Sequence, residues 1–149
     1  MALTRKKFLI AKIESTYGTD PSPVGGSDAV QVTNLEVTPI ESDNVQAASY
    51  QGFLGNSTRG TLVANKRVSV TFDVELSGSG TAGTAPAFGP LLKSCGLSET
   101  TSAGVSVTYA PVSSAFSSAT IYFNNDGILH KLTGCRGSFT LSAEVGQIP

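Results

Sequence analysis

The sequence predicts a mainly β protein with one short helix and one long connection between strands. The clearest observation is the run from Lys66 to Leu76, in which apolar and polar residues alternate strictly, as in a strand with one buried face. The second observation is composition: 16 glycines and no tryptophan in 149 residues suit strands joined by tight turns. The third is the recurrence of Gly, Pro, Asn and Ser clusters between short apolar runs.

The run Lys66–Leu76 is the element around which we expect the fold to be organised. At about 3.3 Å per residue it would extend roughly 35 Å, which is long for a strand. The residues expected on the core face are Val68, Val70, Phe72, Val74 and Leu76. The residues expected on the solvent face are Arg67, Ser69, Thr71, Asp73 and Glu75.

The N-terminal third predicts two further strands separated by a loop. Lys7–Glu14 is apolar enough for a strand, whereas residues 15–29 are dense in Gly, Pro, Ser and Asp and predict a loop. Residues 30–38 alternate again, but the apolar phase slips near Thr33 and Asn34. Such a slip predicts a bulge or a bend in the strand.

Residues 41–65 are the most informative segment for function, because they keep apolar side chains without a clear period. Connections longer than about 12 to 15 residues are uncommon in compact domains and are usually functional or disordered, and disorder does not retain such apolar groups. Two interpretations stay open: a loop folded over its own core, or an arm that docks on another subunit. The candidate contact residues of the arm are Val45, Tyr50, Phe53, Leu54, Arg59 and Leu62.

After a flexible linker over residues 77–85, residues 86–96 predict the helix. Apolar residues at i, i+3, i+4 and i+7 give it one core face, and prolines in the first turn with Gly96 at the end fit its boundaries. The predicted core face consists of Phe88, Leu91, Leu92 and Cys95.

The C-terminal part predicts three more β elements. Residues 105–109 form a short strand, and residues 118–123 and 128–133 form a hairpin, since the intervening Asn-Asn-Asp-Gly supplies the positive φ of a tight turn. In the last run Phe139, Leu141, Ala143 and Val145 alternate with polar residues and predict another strand. We expect a single domain over residues 1–149, and the chain's end directly after this strand suggests that it continues in a longer protein.

Composition and charge exclude several classes of protein. A net charge of −1 argues against tight binding to nucleic acid, which needs a basic excess. The longest apolar run near the N-terminus, Phe8–Ala11, is too short for a secretory signal or a membrane span. Cys95 and Cys135 are too few for a disulfide framework. We expect two free buried thiols, with a single bridge as the alternative.

No group of residues predicts an active site, a metal site or a cofactor. His130 is the sole histidine and lies inside a predicted strand, where it lacks the partners of a catalytic base. Asn124, Asn125 and Asp126 could supply oxygen ligands, but calcium needs about six to eight, and the hairpin turn accounts for the same residues. The glycine-rich segments lack the spacings that hold phosphates.

Four segments, in order, resemble the tail tube proteins of long-tailed bacteriophages with non-contractile tails. They are KIESTYGTDPSP at 12–23, APAFGPLLKSCGL at 85–97, TYAPVSS at 108–114 and TIYFNNDGILHKLTGCRGSFTLSAEVGQIP at 120–149. The resemblance implies a β-sandwich or β-barrel with a flanking helix, a subunit of hexameric rings that stack into a tube. It also implies a virion protein that assembles in the bacterial cytoplasm with a tape measure protein and a tail terminator.

In such a tube DNA passes through the lumen without specific binding, and a long arm reaches the neighbouring ring; here residues 41–65 match that arm. Ser69, Thr71, Asp73 and Glu75 are the candidates for the lumen face, because polar and acidic groups do not retain phosphates. An ordinary solvated face explains the same four residues. Alternatives to a tube subunit are a β-sandwich adhesin or carbohydrate-binding module, and a tail terminator or contractile-system tube protein of the same fold.

Overall fold

The computed structural model of the chain describes residues 7–46, 61–125, 127–144 and 146. Within these ranges it is mainly β with one short helix, which confirms the predicted class. The elements are β1 (Lys7–Ile13), β2 (Ala29–Val30), β3 (Val32–Val45), β4 (Leu62–Val74), α1 (Gly89–Ser94), β5 (Leu97–Ser102), β6 (Ser106–Pro111), β7 (Ala119–Asn125) and β8 (Ile128–Cys135). Contacts divide the chain into residues 34–72 and the remainder.

The core of the larger unit lies in a four-stranded sheet of order β2-β1-β7-β8, paired antiparallel throughout. Consecutive residues of β1 and β7 are buried, so these two strands are covered on both faces. The buried apolar residues are Leu9, Ile10, Ala11, Val30, Leu91, Ala119, Ile121, Tyr122 and Phe123. The fold is therefore organised around β1 and β7, and the prediction that Lys66–Leu76 is the central core strand is wrong.

The predicted hairpin is confirmed as β7 and β8. Asn125 pairs with Ile128 at its end, and Gly127 has the positive φ, +87°, that the sequence requires there. The Gly127 N–H donates to Asn124 Oδ1 at 2.8 Å. The turn residues thus fix the register of the two strands.

The loop after β1 covers one face of this sheet. Asp20 accepts a hydrogen bond from the Tyr122 hydroxyl, and a Cβ built on Gly25 would lie 3.8 Å from Ile10 Cδ1. Helix α1 packs against β1 and β7. The loop and helix explain how a sheet of four strands buries so many adjacent residues.

Helix α1 is shorter than predicted, because it begins at Gly89 with Phe88 as its N-cap. Of the four residues predicted on its core face, Leu91 is buried, while Phe88, Leu92 and Cys95 are half-buried. Ser94, which is not among these four residues, is also buried, and its hydroxyl donates to Leu91 O at 2.7 Å. The predicted cap is confirmed: Gly96 has φ +86° and its N–H donates to Lys93 O.

The sequence prediction and the structure differ at two places near β5 and β8. The pattern does not predict β5, since LSETTS has no apolar alternation; this strand pairs with β6, and Tyr109 lies opposite Glu99. The strand predicted around Phe139 and Leu141 is absent from the described residues, where 136–144 are irregular and these two side chains are 51% and 66% exposed. Alternation indicates two different faces but does not supply a neighbouring strand.

In the smaller unit, β3 and β4 form a two-stranded sheet, here called the ribbon. The predicted phase slip is confirmed. The extended segment is interrupted between β2 and β3, and Asn34 has a φ of +52°. In β4 the predicted alternation is kept over Val70, Phe72 and Val74, which are half-buried, but no described residue of β4 is fully buried. Val68 and Leu76, predicted as core, are 44% and 49% exposed.

Candidate functional site

The ribbon is held across its two strands by polar side chains. Arg67 Nε donates to Glu41 Oε2 at 2.8 Å, and Arg67 Nη1 lies 3.9 Å from Asp43 Oδ2. Asn65 Nδ2 donates to the same Asp43 oxygen at 3.0 Å. Residue numbers rise along one strand as they fall along its partner, so the strands run antiparallel.

These contacts correct the predicted boundaries of the arm. The sequence pattern assigns residues 41–45 and 62–65 to an irregular connection, but they belong to β3 and β4. The alternation of apolar residues does not reveal these parts of the strands, because polar side chains pair across them. Glu41 and Asp43 contact Arg67 and Asn65, and such pairs stabilise a sheet without an apolar period. β3 therefore ends at Val45 and β4 begins at Leu62, and residues 47–60 of the predicted arm lie outside the described residues.

The predicted arm residues fall into two groups. Val45 ends β3 and Leu62 begins β4, and they are 52% and 69% exposed. Tyr50, Phe53, Leu54 and Arg59 lie outside the described residues. The two described positions thus present large apolar side chains at the same end of the ribbon.

Alternation along the strands separates the two faces of the ribbon. Arg67, Glu41 and Asp43 share one face, since their side chains touch. Ile40 precedes Glu41 and Val68 follows Arg67, so both point to the other face. Ile40 is 76% exposed. Ile40 and Val68, here called the apolar row, are both exposed, although the same alternation along β3 places Leu35 and Val37 on the face of Glu41.

Three of the four candidates for the lumen face lie on β4 in phase with Arg67. Ser69, Thr71 and Asp73 follow Arg67 at alternate positions of β4, and Glu75 comes just after the strand. Thr71, Asp73 and Glu75 are exposed, and Ser69 is half-buried. The lumen assignment of these four residues stays a prediction.

The buried carboxylate of Glu14 connects several elements of the larger unit. The sequence pattern does not identify it. Glu14 is 7% exposed and accepts four hydrogen bonds, from the Gly18 N–H at 2.8 Å, Ser118 Oγ at 2.6 Å, Thr120 Oγ1 at 2.6 Å and the Gly134 N–H at 2.7 Å. Burial alone raises the pKa of a carboxyl group, but these four donors outweigh it and lower the pKa of Glu14 to about 2. The charged carboxylate therefore joins the loop after β1 to β7 and β8.

A second polar cluster lies on the face of the sheet that the same loop covers. Lys131 Nζ is 3.3 Å from Asp20 Oδ2 and 4.6 Å from the centre of the Tyr122 ring. The hydrogen bond from the Tyr122 hydroxyl, with that from the Ser22 N–H, lowers the pKa of Asp20. The cluster holds the Asp20 loop against the sheet and has no nucleophile beside a base.

A third cluster joins the helix to the β5–β6 pair. Tyr109 Oη donates to Glu99 Oε2 at 2.7 Å, and Lys93 Nζ lies 3.9 Å from Glu99 Oε1. Burial, and then the Glu99 carboxylate, raise the pKa of Tyr109. A Cβ at residue 89 would lie 2.7 Å from the Tyr109 hydroxyl, so Gly89 lets the helix lie close to this pair without displacing it. These contacts brace the helix.

The most reactive side chains, one histidine and two cysteines, take part in packing. His130 is exposed and stacks on Phe123, with ring centres 4.7 Å apart. Cys95 and Cys135 are free, as predicted, and half-buried, and burial raises the pKa of both thiols. Among the described residues no group of three His, Cys, Asp or Glu side chains could hold a metal ion, and no helix is long and apolar enough to cross a membrane.

The comparison with protein-family models decides the class. The model of the phage tail tube protein matches residues 4–149, nearly the whole chain. The chain belongs to the phage tail tube protein family. No curated protein and no solved structure matches it. The resemblance inferred from four segments is thereby confirmed, and the mainly β fold with one short helix is consistent with the sandwich expected of a tail tube.

Membership in this family makes the protein a structural component of the virion. A tail tube protein acts by self-assembly, so its functional surfaces are contacts between copies.

Proposed function

We propose that this tail tube protein forms six-membered rings that stack into the conduit for viral DNA, and that the ribbon docks on a neighbouring subunit. The observation that carries the docking is the apolar row containing Ile40 and Val68, which a two-stranded sheet leaves exposed. Two-stranded sheets are marginal in water unless another surface covers one face. In an assembling protein, a second copy supplies that surface.

The charge at the end of β4 supports the role as a conduit. Thr71, Asp73 and Glu75 are exposed at alternate positions, and the last two are acidic. Such a wall repels phosphates and lets DNA slide without specific contacts. During assembly the tape measure protein occupies this lumen, and a terminator closes the end of the tube in the host cytoplasm.

Electron microscopy and sedimentation of the purified protein test the proposal. The wild-type protein forms rings or tubes with a central hole, and class averages viewed down the axis show sixfold symmetry. Ile40→Asp places a charge on the docking row and abolishes the assemblies, while the monomer keeps its circular dichroism spectrum and Tm. Ile40→Val keeps an apolar β-branched side chain and assembles as the wild type does.

A charge control separates docking from a general effect of a new carboxylate. Val105 is 74% exposed and lies outside the ribbon, so Val105→Asp leaves assembly intact. A wild-type protein that stays monomeric at high concentration, even with seed tubes added, would contradict the proposed assembly. Normal tubes formed by Ile40→Asp would show that the apolar row is not the docking face.

A further inference from the structure

The segment 138–144 has the pattern of a strand but no strand partner among the described residues. Phe139, Leu141 and Ala143 alternate with Ser138, Thr140, Ser142 and Glu144. All seven residues are exposed and irregular, and within the described ranges none of their backbone groups bonds to another backbone group. A half-buried strand pattern left in water indicates that its neighbour lies on another molecule or is yet to pair.

The sheet offers a matching open edge. β8 pairs with β7 on one side, and no described strand pairs with its other side. An unpaired strand edge presents a row of N–H and C=O groups that another strand can join. Ile128 and Leu129, at the start of β8, are 62% and 46% exposed. The edge therefore combines free backbone groups with apolar side chains.

The segment cannot easily reach this edge within its own chain, because the chain leaves β8 towards the helix. The Gly137 N–H donates to Ser94 O at 3.3 Å, and a Cβ on Gly137 would lie 3.8 Å from Cys95 Sγ. Arg136 Nη2 donates to Phe116 O at 3.3 Å. These contacts hold residues 136 and 137 at the end of α1, where a tight reversal alongside β8 would have to begin.

We infer that residues 138–144 of one copy pair with the β8 edge of a second copy, as an added strand of its sheet. The inference rests on the proposed assembly and names one of its contacts. Main-chain hydrogen bonds supply the affinity in such strand addition, and the alternate side chains supply specificity. The seven residues of the segment match the eight residues of β8 in length.

The side chains of the two strands also match by face. His130 stacks on Phe123, and by alternation Ile128 and Leu132 share that face of β8. Phe139 and Leu141 then cover this apolar face, and the polar positions of the segment lie beside Lys131 and Thr133 on the other. Glu144, the acidic residue of the segment, falls on the same face as the Lys131 cation.

Photocrosslinking from Phe139 tests the pairing directly. Phe139 is replaced by p-benzoylphenylalanine, and unlabelled protein is mixed with uniformly ¹⁵N-labelled protein before assembly and irradiation. Mass spectrometry is expected to find cross-links from position 139 to residues 128–133, in mixed-isotope pairs that only two different chains can form. Cross-links confined to one chain, or to a different element of the second chain, would overturn the inference.

Proline substitutions test the backbone pairing independently. The amides of Thr140 and Ala143 point to opposite sides of an extended segment, so Thr140→Pro or Ala143→Pro removes a donor towards β8. One of the two is expected to raise the critical concentration for assembly about tenfold. Thr140→Ala and Ala143→Ser stay within about twofold. Monomer Tm is unchanged in all four, because the segment is unpaired there.

The outcomes separate this inference from the proposed function. If wild-type protein forms no assemblies, both fail together. If it forms tubes, but both proline variants assemble at the wild-type concentration, the tube stands and the strand addition is wrong. If one proline variant raises the critical concentration about tenfold while Ile40→Val and the two conservative controls assemble as the wild type does, the contact depends on the backbone of residues 138–144.

Discussion

Replacing Glu14 by Gln is the sharpest test of how the larger unit is held together. The pKa of Glu14 is lowered from 4.5 to about 2. Each pKa unit of difference between the unfolded and folded states corresponds to a free energy of about 1.4 kcal/mol. The charged, fourfold hydrogen-bonded carboxylate therefore stabilises the fold by about 3 kcal/mol at pH 7. Glu14→Gln loses this contribution, because an amide oxygen cannot accept from four donors and its NH₂ group meets them as another donor.

The sign of the pH dependence follows from the lowered pKa. Stabilisation by Glu14 is complete above the unfolded-state pKa near 4.5 and is lost as the pH falls towards about 2. The wild-type free energy of unfolding thus has a component that declines by about 3 kcal/mol between pH 5 and pH 2. In Glu14→Gln that component is missing, so the two proteins converge in stability at low pH.

Urea unfolding followed by circular dichroism at pH 7, 5 and 3 measures both effects. Glu36→Gln, which changes an exposed carboxylate of β3, is the matched control and stays within about 0.5 kcal/mol of the wild type. Equal stability of Glu14→Gln and wild type at pH 7, or an unchanged difference between them from pH 7 to pH 3, would refute the role given to the charge.

Three further predictions concern backbone space, the lumen and the loop. Gly83→Ala lowers Tm sharply, because its Cβ would lie 2.4 Å from two backbone atoms at a φ of +72°, whereas Gly80→Ala, with φ +77° and nothing within 4 Å, costs only about 1 kcal/mol. Asp73→Lys makes assembled tubes retain DNA in a salt-dependent manner, which filter binding detects. Tyr122→Phe raises the pKa of Asp20 towards its ordinary value, since the hydroxyl is the main cause of its lowering; carboxyl NMR titration measures this.

Each of these has an outcome that contradicts it. Equal Tm values for the two alanine variants would show that the backbone near Gly83 moves and makes room for the added methyl group. Retention of DNA by Thr101→Lys tubes as strong as by Asp73→Lys tubes would show that added charge acts anywhere on the surface, since Thr101 is exposed on β5. An Asp20 titration unmoved by Tyr122→Phe would assign the lowered pKa to the Ser22 N–H instead.

The local elements that the sequence predicts well depend on residues with strong backbone preferences. Gly127 sets the β7–β8 turn, Gly96 ends the helix, and Asn34 adopts the positive φ at the phase slip. Such residues restrict φ directly, so their effect does not depend on distant parts of the chain. The family resemblance likewise rests on several such segments in order.

What the sequence could not predict depends on which strands become neighbours. The alternation around Val68 and Val70 indicates the two faces of β4. It does not indicate that β3 is the one strand among the described residues that pairs with β4, or that the apolar row is left exposed. In the sequence, Glu14 looks like the polar end of a strand. Its hydrogen-bond donors at Ser118, Thr120 and Gly134 are more than 100 positions away, so the local pattern does not reveal them. The polar ribbon contacts are hidden in the sequence for the same reason.

The length of β2 has a consequence for misassembly. At the side of the sheet away from β8, β2 contributes only Ala29 and Val30, paired with Ile10 and Leu9. Short edge strands are poor templates for a further strand, whereas long flat ones invite aggregation. A sheet with one long open edge and one short edge is expected to accept a strand at the β8 side alone. Fibrils that need this sheet to extend at both of its edges are thereby disfavoured.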